Sequence, residues 1–331
     1  DTLIEAFKRH WAQRHHNLDR LENLHRNVLV GGRHLALPIE DYEQIETWGQ
    51  ANDAWIEVAQ EVGERAIRAA LGKSGLETGD VDALFTVTVT GIATPSLDAR
   101  LMNRLALPPR VKRVPIFGLG CVAGTAGIAR AADYVRAYPD QVAVLLSVEL
   151  CSLTLQRQDL SIPNLIASGL FGDGAAAAVV VGSEVEAAGP RVVDSRSVFY
   201  PDSERVMGWD ISEKGFQIVL SAEVPEVVRR HLRGDVDALL TDHGLARSDI
   251  AVWVSHPGGP KVLEAMQEAL ELPAGAFESS WRSLREVGNL SSTSVLLVLE
   301  ETMTNQPDPG SHGVMVSMGP GFCSELVLLR W

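Results

Sequence analysis

Val81-Asp82-Ala83-Leu84-Phe85-Thr86-Val87 and Ile250-Ala251-Val252-Trp253-Val254-Ser255-His256 are the stretches that decide the fold. Both are apolar runs of strand length, rich in β-branched and aromatic residues. The first begins 40 residues before Cys121, the second 39 residues before Asn289. Each of those polar residues follows a glycine, as Gly120-Cys121 and Gly288-Asn289, and each is followed by a helical stretch of small or apolar residues. Another strand run comes next in both cases, Gln141–Ser147 in the first half and Gly313–Ser317 in the second. The chain therefore reads as one α/β unit used twice. Strands alternating with helices favour a parallel or mixed sheet covered on both faces. Two such units packed together predict two pseudo-symmetric halves in a layered α/β/α/β/α arrangement. The loop Gly182–Asp194 is the candidate boundary, giving halves 1–188 and 189–331.

Outside the repeat, Leu3, Phe7, Trp11, Leu18, Leu21 and Leu24 recur at mostly helical intervals and predict one helix over the first 26 residues. Val28–Tyr42 reads as a connector, Asn52–Leu71 as a second helix and Gly72–Asp80 as loop. After Cys121, the small residues Ala123, Gly124, Thr125, Ala126, Gly127 and Ala129 predict a helix buried inside the protein rather than lying on its surface.

Composition narrows the function. The 331 residues carry 29 basic and 43 acidic side chains, a net charge of −14. Phosphate neutralisation needs a basic surface, so a nucleic-acid binder is disfavoured. With 46% apolar and 22% charged residues the sequence is that of a folded globular protein. At roughly 150 residues per domain it holds about two units. No apolar run approaches the roughly 18 residues of a membrane span, and no signal peptide is visible. Asp1 in place of an initiator Met implies residues before it. Cys121, Cys151 and Cys323 lack CxxC spacing, so neither a disulfide framework nor a metal site is expected, and a reducing cytoplasm is the expected location.

Four segments could carry chemistry. In Gly118-Leu119-Gly120-Cys121-Val122-Ala123-Gly124 the cysteine sits at a strand-to-helix turn, where a helix N-terminus favours thiolate over thiol. A buried inert thiol is the alternative. In Val254-Ser255-His256-Pro257-Gly258-Gly259-Pro260 the histidine ends an apolar strand, a common place for active-site residues in α/β proteins. A neutral imidazole there accepts a proton or pairs with a thiolate, or merely stabilises the turn. In Gly288-Asn289-Leu290-Ser291-Ser292 the polar cluster is either a helix N-cap or a donor to a developing oxyanion. Its place in the repeat matches that of Cys121, and twofold packing would bring both helix starts to one shared pocket. In Leu170-Phe171-Gly172-Asp173-Gly174 the sequence is a tight turn, or Phe171 lines the pocket. The pair His15–His16 beside Arg14 reads as a solvated helix face.

Taken in order, Gly120-Cys121-Val122-Ala123-Gly124, Glu149-Leu150-Cys151-Ser152, Leu170-Phe171-Gly172-Asp173-Gly174-Ala175-Ala176, His256-Pro257-Gly258-Gly259-Pro260, Gly288-Asn289-Leu290-Ser291-Ser292 and Gly319-Pro320-Gly321-Phe322 resemble the type III polyketide synthases, the chalcone-synthase-like enzymes. The resemblance implies a thiolase fold, a homodimer and a Cys121, His256, Asn289 triad. It implies an acyltransferase that holds an acyl starter on Cys121, from an acyl-CoA or an acyl carrier protein. Decarboxylative Claisen condensation with malonyl-CoA or alkylmalonyl-CoA would extend it, with no metal or redox cofactor. Phe171 falls on a pocket-gating position, Ile218 on a second one, and Ser291 beside the triad. Trp209 stands where plant members carry glycine, and Thr94 where they carry a methionine that crosses the dimer interface. Lys8, Arg9 and Arg14 lie in a region that meets coenzyme A phosphates in the family, a solvated face being the alternative. The narrower resemblance is to bacterial alkylpyrone-forming members such as germicidin synthase, so an alkyl pyrone is the expected product. A fatty-acid-type ketoacyl synthase, or a tetrahydroxynaphthalene- or resorcinol-forming polyketide synthase, is the alternative. A cysteine hydrolase and a non-catalytic binding protein are the readings from other classes.

Overall fold

A computed structural model describes residues 2–11 and 18–331. Two short helices, α1 (Thr2–Trp11) and α2 (Leu18–Asn27), stand where the sequence predicts one. After a 3₁₀ turn at Ile39–Gln44 comes α3 (Trp48–Ser74), which buries Ala51, Trp55, Ala59, Gly63, Ile67 and Leu71 along one stripe. It is longer than its apolar stripe predicts because its ends are set by caps. Thr47 and Gln50 form a reciprocal capping box, and Gly75 closes the helix in the left-handed conformation at φ 70°.

The first sheet follows, built from β1 (Ala83–Thr88), β2 (Lys112–Phe117), β3 (Val142–Leu150) and β4 (Asp173–Val181). Between these strands lie α4 (Leu97–Arg104), α5 (Ala123–Ala137) and α6 (Ile162–Leu170). The sheet order is β2-β1-β3-β4, with β1 parallel to β2 and β3, and β4 antiparallel to β3. Every residue of β3 is buried, as a strand covered on both faces requires. The chain then makes β5 (Arg191–Phe199) and a hairpin of β6 (Met207–Ser212) and β7 (Gly215–Leu220). It continues through α7 (Val224–Thr241), β8 (Ile250–Ser255), α8 (Pro260–Leu270), α9 (Glu278–Val287), α10 (Ser294–Thr304), β9 (His312–Gly319) and β10 (Cys323–Arg330). The second sheet has the order β5-β10-β9-β8.

The repeat is visible in the topology. β1, α5, β3 and β4 in one half correspond to β8, α10, β9 and β10 in the other. In both, the first two strands pair in parallel and the last two antiparallel. The halves differ at their edges, where β2 extends the first sheet beside β1 and β5 extends the second beside β10.

The layers follow from which side chains share a core. Apolar residues of α3, β1 and β3 form one cluster on the outer face of the first sheet. Those of α7, α8 and the second sheet form another on the opposite outer face. Between the sheets a third cluster joins Ala123, Ile128, Ala131 and Val135 of α5 to Val295, Val298 and Leu299 of α10. The small side chains of α5 let it lie between both sheets. The result is the α/β/α/β/α stack of a thiolase fold, with α5 and α10 as its middle layer.

Candidate active site

The starts of the two central helices meet. Cys121 lies in a 3₁₀ turn, Gly120–Val122, that leads directly into α5. Gly120 has φ 55°, and a Cβ there would stand 2.8 Å from the ring of Pro320. That position needs glycine for both conformation and space. One turn on, a Cβ on Gly124 would lie 2.3 Å from the carbonyl oxygen of Ser292. Glycine there lets the start of α5 touch the segment that opens α10. In consequence the Sγ of Cys121 lies 3.8 Å from the Oγ of Ser291.

Asn289 is fixed at both ends of its amide. Its Oδ1 accepts from the Ser291 amide at 2.8 Å, and its Nδ2 donates to the Gly258 carbonyl at 3.1 Å. A carboxamide has two N–H donors, so one remains for another acceptor. Ser291 holds φ 48°, a conformation that costs a non-glycine residue energy. The Gly258 amide donates to the His256 carbonyl at 2.9 Å. Contacts therefore run without a break from Cys121 through Ser291, Asn289 and Gly258 to His256.

His256 directly follows β8, anchored by its own amide to the Val316 carbonyl at 2.9 Å. Its side chain is buried, and neither ring nitrogen has a protein partner. Buried polar atoms are usually paired, so this imidazole is set apart from an ordinary core histidine. Burial pushes it down to about 3. Burial also pushes the Cys121 thiol up to about 12, against its hydrogen bond with Ser291, and the nearby Glu149 charge adds to the rise. The thiolate expected from the helix end alone is thus opposed by desolvation.

Next to Asn289, on the far side of Phe171, opens a cavity of about 130 Å³; Cys121, Ser291, Asn289 and His256 are not themselves on its wall. Phe171, Trp209, Ile218, Cys151, Thr154 and Arg33 are on its wall. Phe171 links it to the buried cluster, because its backbone bridges to Asn289. Trp209 and Ile218 face each other across the β6–β7 hairpin. Phe216, two residues away, is turned into the protein against Trp48 and is not on the cavity wall.

Residues 23–185 match the N-terminal domain of the chalcone and stilbene synthases, and residues 191–331 match their C-terminal domain. The 1,3,6,8-tetrahydroxynaphthalene synthase of Streptomyces peucetius subsp. caesius is 55% identical, over 94% of this chain and 83% of that protein. The chain belongs to the chalcone and stilbene synthase family. A 3,5-dihydroxyphenylacetyl-CoA synthase of Amycolatopsis orientalis is 34% identical over 94% of this chain and 86% of its own. The crystal structure of the tetrahydroxynaphthalene synthase of Streptomyces coelicolor A3(2), described as a bacterial type III polyketide synthase, superposes with a TM-score of 0.94 at 33% identity. It covers 100% of this chain and 94% of that one. The protein is accordingly a type III polyketide synthase, a condensing enzyme of the acyltransferase class.

The remaining residues expected in this polyketide synthase fall out differently. Thr94 is exposed on the β1–α4 connection and is not on the cavity wall, so within one chain it is no pocket residue. Lys8 is not a free cation. It pairs with Glu22 of α2 and lies 3.9 Å from Glu5, which ties α1 to α2. Arg9 is exposed, and Arg14 with the His15–His16 pair lies outside the described residues. No described helix is long and apolar enough to cross a membrane. Among the described residues no cluster of His, Cys, Asp or Glu has the make-up of a metal site.

Two groups escaped the sequence reading. Glu149 is fully buried at the seam of the halves, accepting from the Val89 amide at 3.0 Å, the Thr90 hydroxyl at 3.0 Å and the Ser292 hydroxyl. Burial lifts it to about 7. A charged residue inside the otherwise apolar β3 is the signal that could have found it. Asp173 of the Phe-Gly-Asp-Gly turn is also buried, accepting from the amides of Ala36 at 2.6 Å and Ser152 at 2.8 Å. Its carboxylate holds the connector from α2 against β4, so the turn is more than a reversal of direction.

Proposed function

We propose that this polyketide synthase loads an acyl thioester on Cys121 and extends it with malonyl-type CoA units on His256 and Asn289. The single observation that carries this reading is the meeting of the Cys121 turn with the Asn289–Ser292 segment, next to a buried imidazole that no protein group satisfies. In the loading step the Cys121 proton passes to His256. The sulfur attacks the thioester carbonyl, and the CoA thiol leaves with a proton. A malonyl thioester then loses carbon dioxide, and the electron pair of the broken bond becomes an enolate. An N–H of His256 and the spare Nδ2–H of Asn289 bind its oxygen. The enolate carbon attacks the acyl group on Cys121, a carbon–carbon bond forms, and the sulfur is released. Each donor of this kind is worth about 2.7–4 kcal/mol of barrier. The steps call for no metal or redox cofactor.

The product we propose is a polyhydroxylated aromatic of the tetrahydroxynaphthalene or resorcinol kind, in place of the alkyl pyrone expected from sequence. What supports it is the 55% identity to a tetrahydroxynaphthalene synthase. A second support is Trp209 on the cavity wall, where its bulk shortens the space for an alkyl chain. The acting form we propose is a homodimer. Strand β2 is an open sheet edge with Phe117 46% exposed, a surface a second copy would cover. Incubation with malonyl-CoA alone, and with medium-chain acyl-CoA or acyl carrier protein starters, followed by mass analysis, tests the reading. A ring compound from malonyl-CoA alone is expected. Alkyl pyrones from the acyl starters only would return the product to the pyrone class, a single β-ketoacyl product would favour a fatty-acid-type ketoacyl synthase, and release of free acid without decarboxylation would favour a hydrolase.

A further inference from the structure

Arg33 lies in the connector after α2 and lines the cavity together with Phe171, Trp209 and Ile218. Its Nη1 donates to the carbonyls of Ser168 at 2.7 Å and Phe171 at 3.0 Å, and its Nη2 donates to that of Gly169. These are carbonyls at the C-terminal end of α6, so the cation also offsets the negative end of that helix. A guanidinium has five N–H donors. Three are used here, which leaves the Nε–H and one N–H on Nη2, the pair that meets a carboxylate as a fork.

No protein carboxylate takes that fork. Among the described residues, no Asp or Glu oxygen lies within the 4.0 Å of an ion pair with Arg33. Asp173 is close enough for its charge to be felt, but its oxygens are engaged by the Ala36 amide and by the amide and hydroxyl of Ser152. The other arginine on the wall, Arg157, donates to the carbonyls of Tyr42 at 2.9 Å and Ile45 at 3.2 Å. His25, behind Ser168, is kept neutral by burial and by the charge of Arg33 itself. Burial also pulls the Arg33 guanidinium down to about 10. A desolvated cation whose nearby counter-charge, Asp173, is engaged by other donors is costly in a protein, and this one lies on the cavity wall.

We infer that Arg33 is a specificity-determining residue that binds a carboxylate carried by the substrate at the end remote from its thioester. The substrate class is then an acyl thioester of a dicarboxylic acid, in place of a plain fatty acyl group. This rests on the proposed condensing function, and the test separates the two. Loading of Cys121 is followed by intact-protein mass analysis over a range of starter concentrations, with malonyl-CoA and glutaryl-CoA as carboxylate starters and butyryl-CoA as the neutral one. Wild type, Arg33→Gln and Arg33→Lys are compared on the same protein samples. The ratio between starters is read, so partial loss of folded protein cancels. Arg33→Gln is expected to raise the half-saturating concentration of the carboxylate starters by about tenfold or more, the scale of a lost charge-assisted pair. Butyryl-CoA should stay within about twofold, and Arg33→Lys, which keeps the charge but not the fork, should fall between. An equal loss for all starters would make Arg33 a clamp on the Phe171 turn and nothing more, and no change in any would remove it from the site; either overturns the inference. A wild-type enzyme that loads no thioester on Cys121 would instead overturn the condensing function.

Discussion

Cys121 and His256 are driven apart in proton affinity by the same cause. Burial lifts the thiol to about 12 and lowers the imidazole to about 3, so neither ionises at neutral pH on its own. In the mechanism we propose, a nucleophile arises by transfer of one proton between them, leaving sulfur negative and imidazole positive. The start of α5 and the Ser291 hydroxyl favour the anion on sulfur. The rate of Cys121 alkylation by iodoacetamide against pH measures this directly. In wild type it should level off below pH 8, as the pair ionises together, whereas His256→Gln should shift the rise upward by more than about one pH unit. Identical profiles would mean that His256 does not hold the proton. At this scale much of the site was readable in the sequence. A glycine before Cys121, a strand ending at His256 and a glycine before Asn289 are local signals. Arg33 was not readable, because its contacts depend on which distant backbone carbonyls the fold brings to it, and Glu149 left only the signal of a charge within a buried strand.

The β6–β7 hairpin shows what is set one level up. Trp209 and Ile218 lie opposite each other in register and both reach the cavity wall. If the growing chain lies in this cavity, as we propose, the indole takes up part of its space. Trp209→Gly should change the product spectrum toward longer chains or other ring sizes, at a cost of about 0.5–1 kcal/mol for glycine within a strand. Product profiling by mass spectrometry checks this, and an unchanged profile would remove Trp209 from control of chain length. Elements with a strong period, such as α3, were legible, but their ends were not. Thr47, Gln50 and Gly75 extend α3 beyond its apolar stripe by capping. The N-terminal segment reads as one helix by spacing yet forms two, α1 and α2, joined by the Lys8–Glu22 pair. That pairing gives Lys8 a role in packing, which periodicity alone does not reveal.

For the whole molecule, the repeat was the decisive signal. Nearly equal spacing from strand to glycine to polar residue, 40 and 39 residues in the two halves, foretold the matching order β1, α5, β3, β4 and β8, α10, β9, β10. It did not foretell the extra edge strands β2 and β5 or the hairpin, which have no counterpart in the other half. At the seam between the halves the Cys121 turn meets the Asn289–Ser292 segment, with Ser147 and Glu149 of β3 bonded across it to Ser292; the mechanism we propose draws sulfur from the first half and imidazole and carboxamide from the second. Neither half holds the set alone. The most direct measurement is peptide mapping of the covalent adduct after brief exposure of wild type and Cys121→Ala to a malonyl or acyl thioester. The acyl group is predicted on Cys121 in wild type, with neither adduct nor ring product from Cys121→Ala. An adduct confined to Cys151 or Cys323, or full product yield from Cys121→Ala, would contradict a site built from both halves around that sulfur.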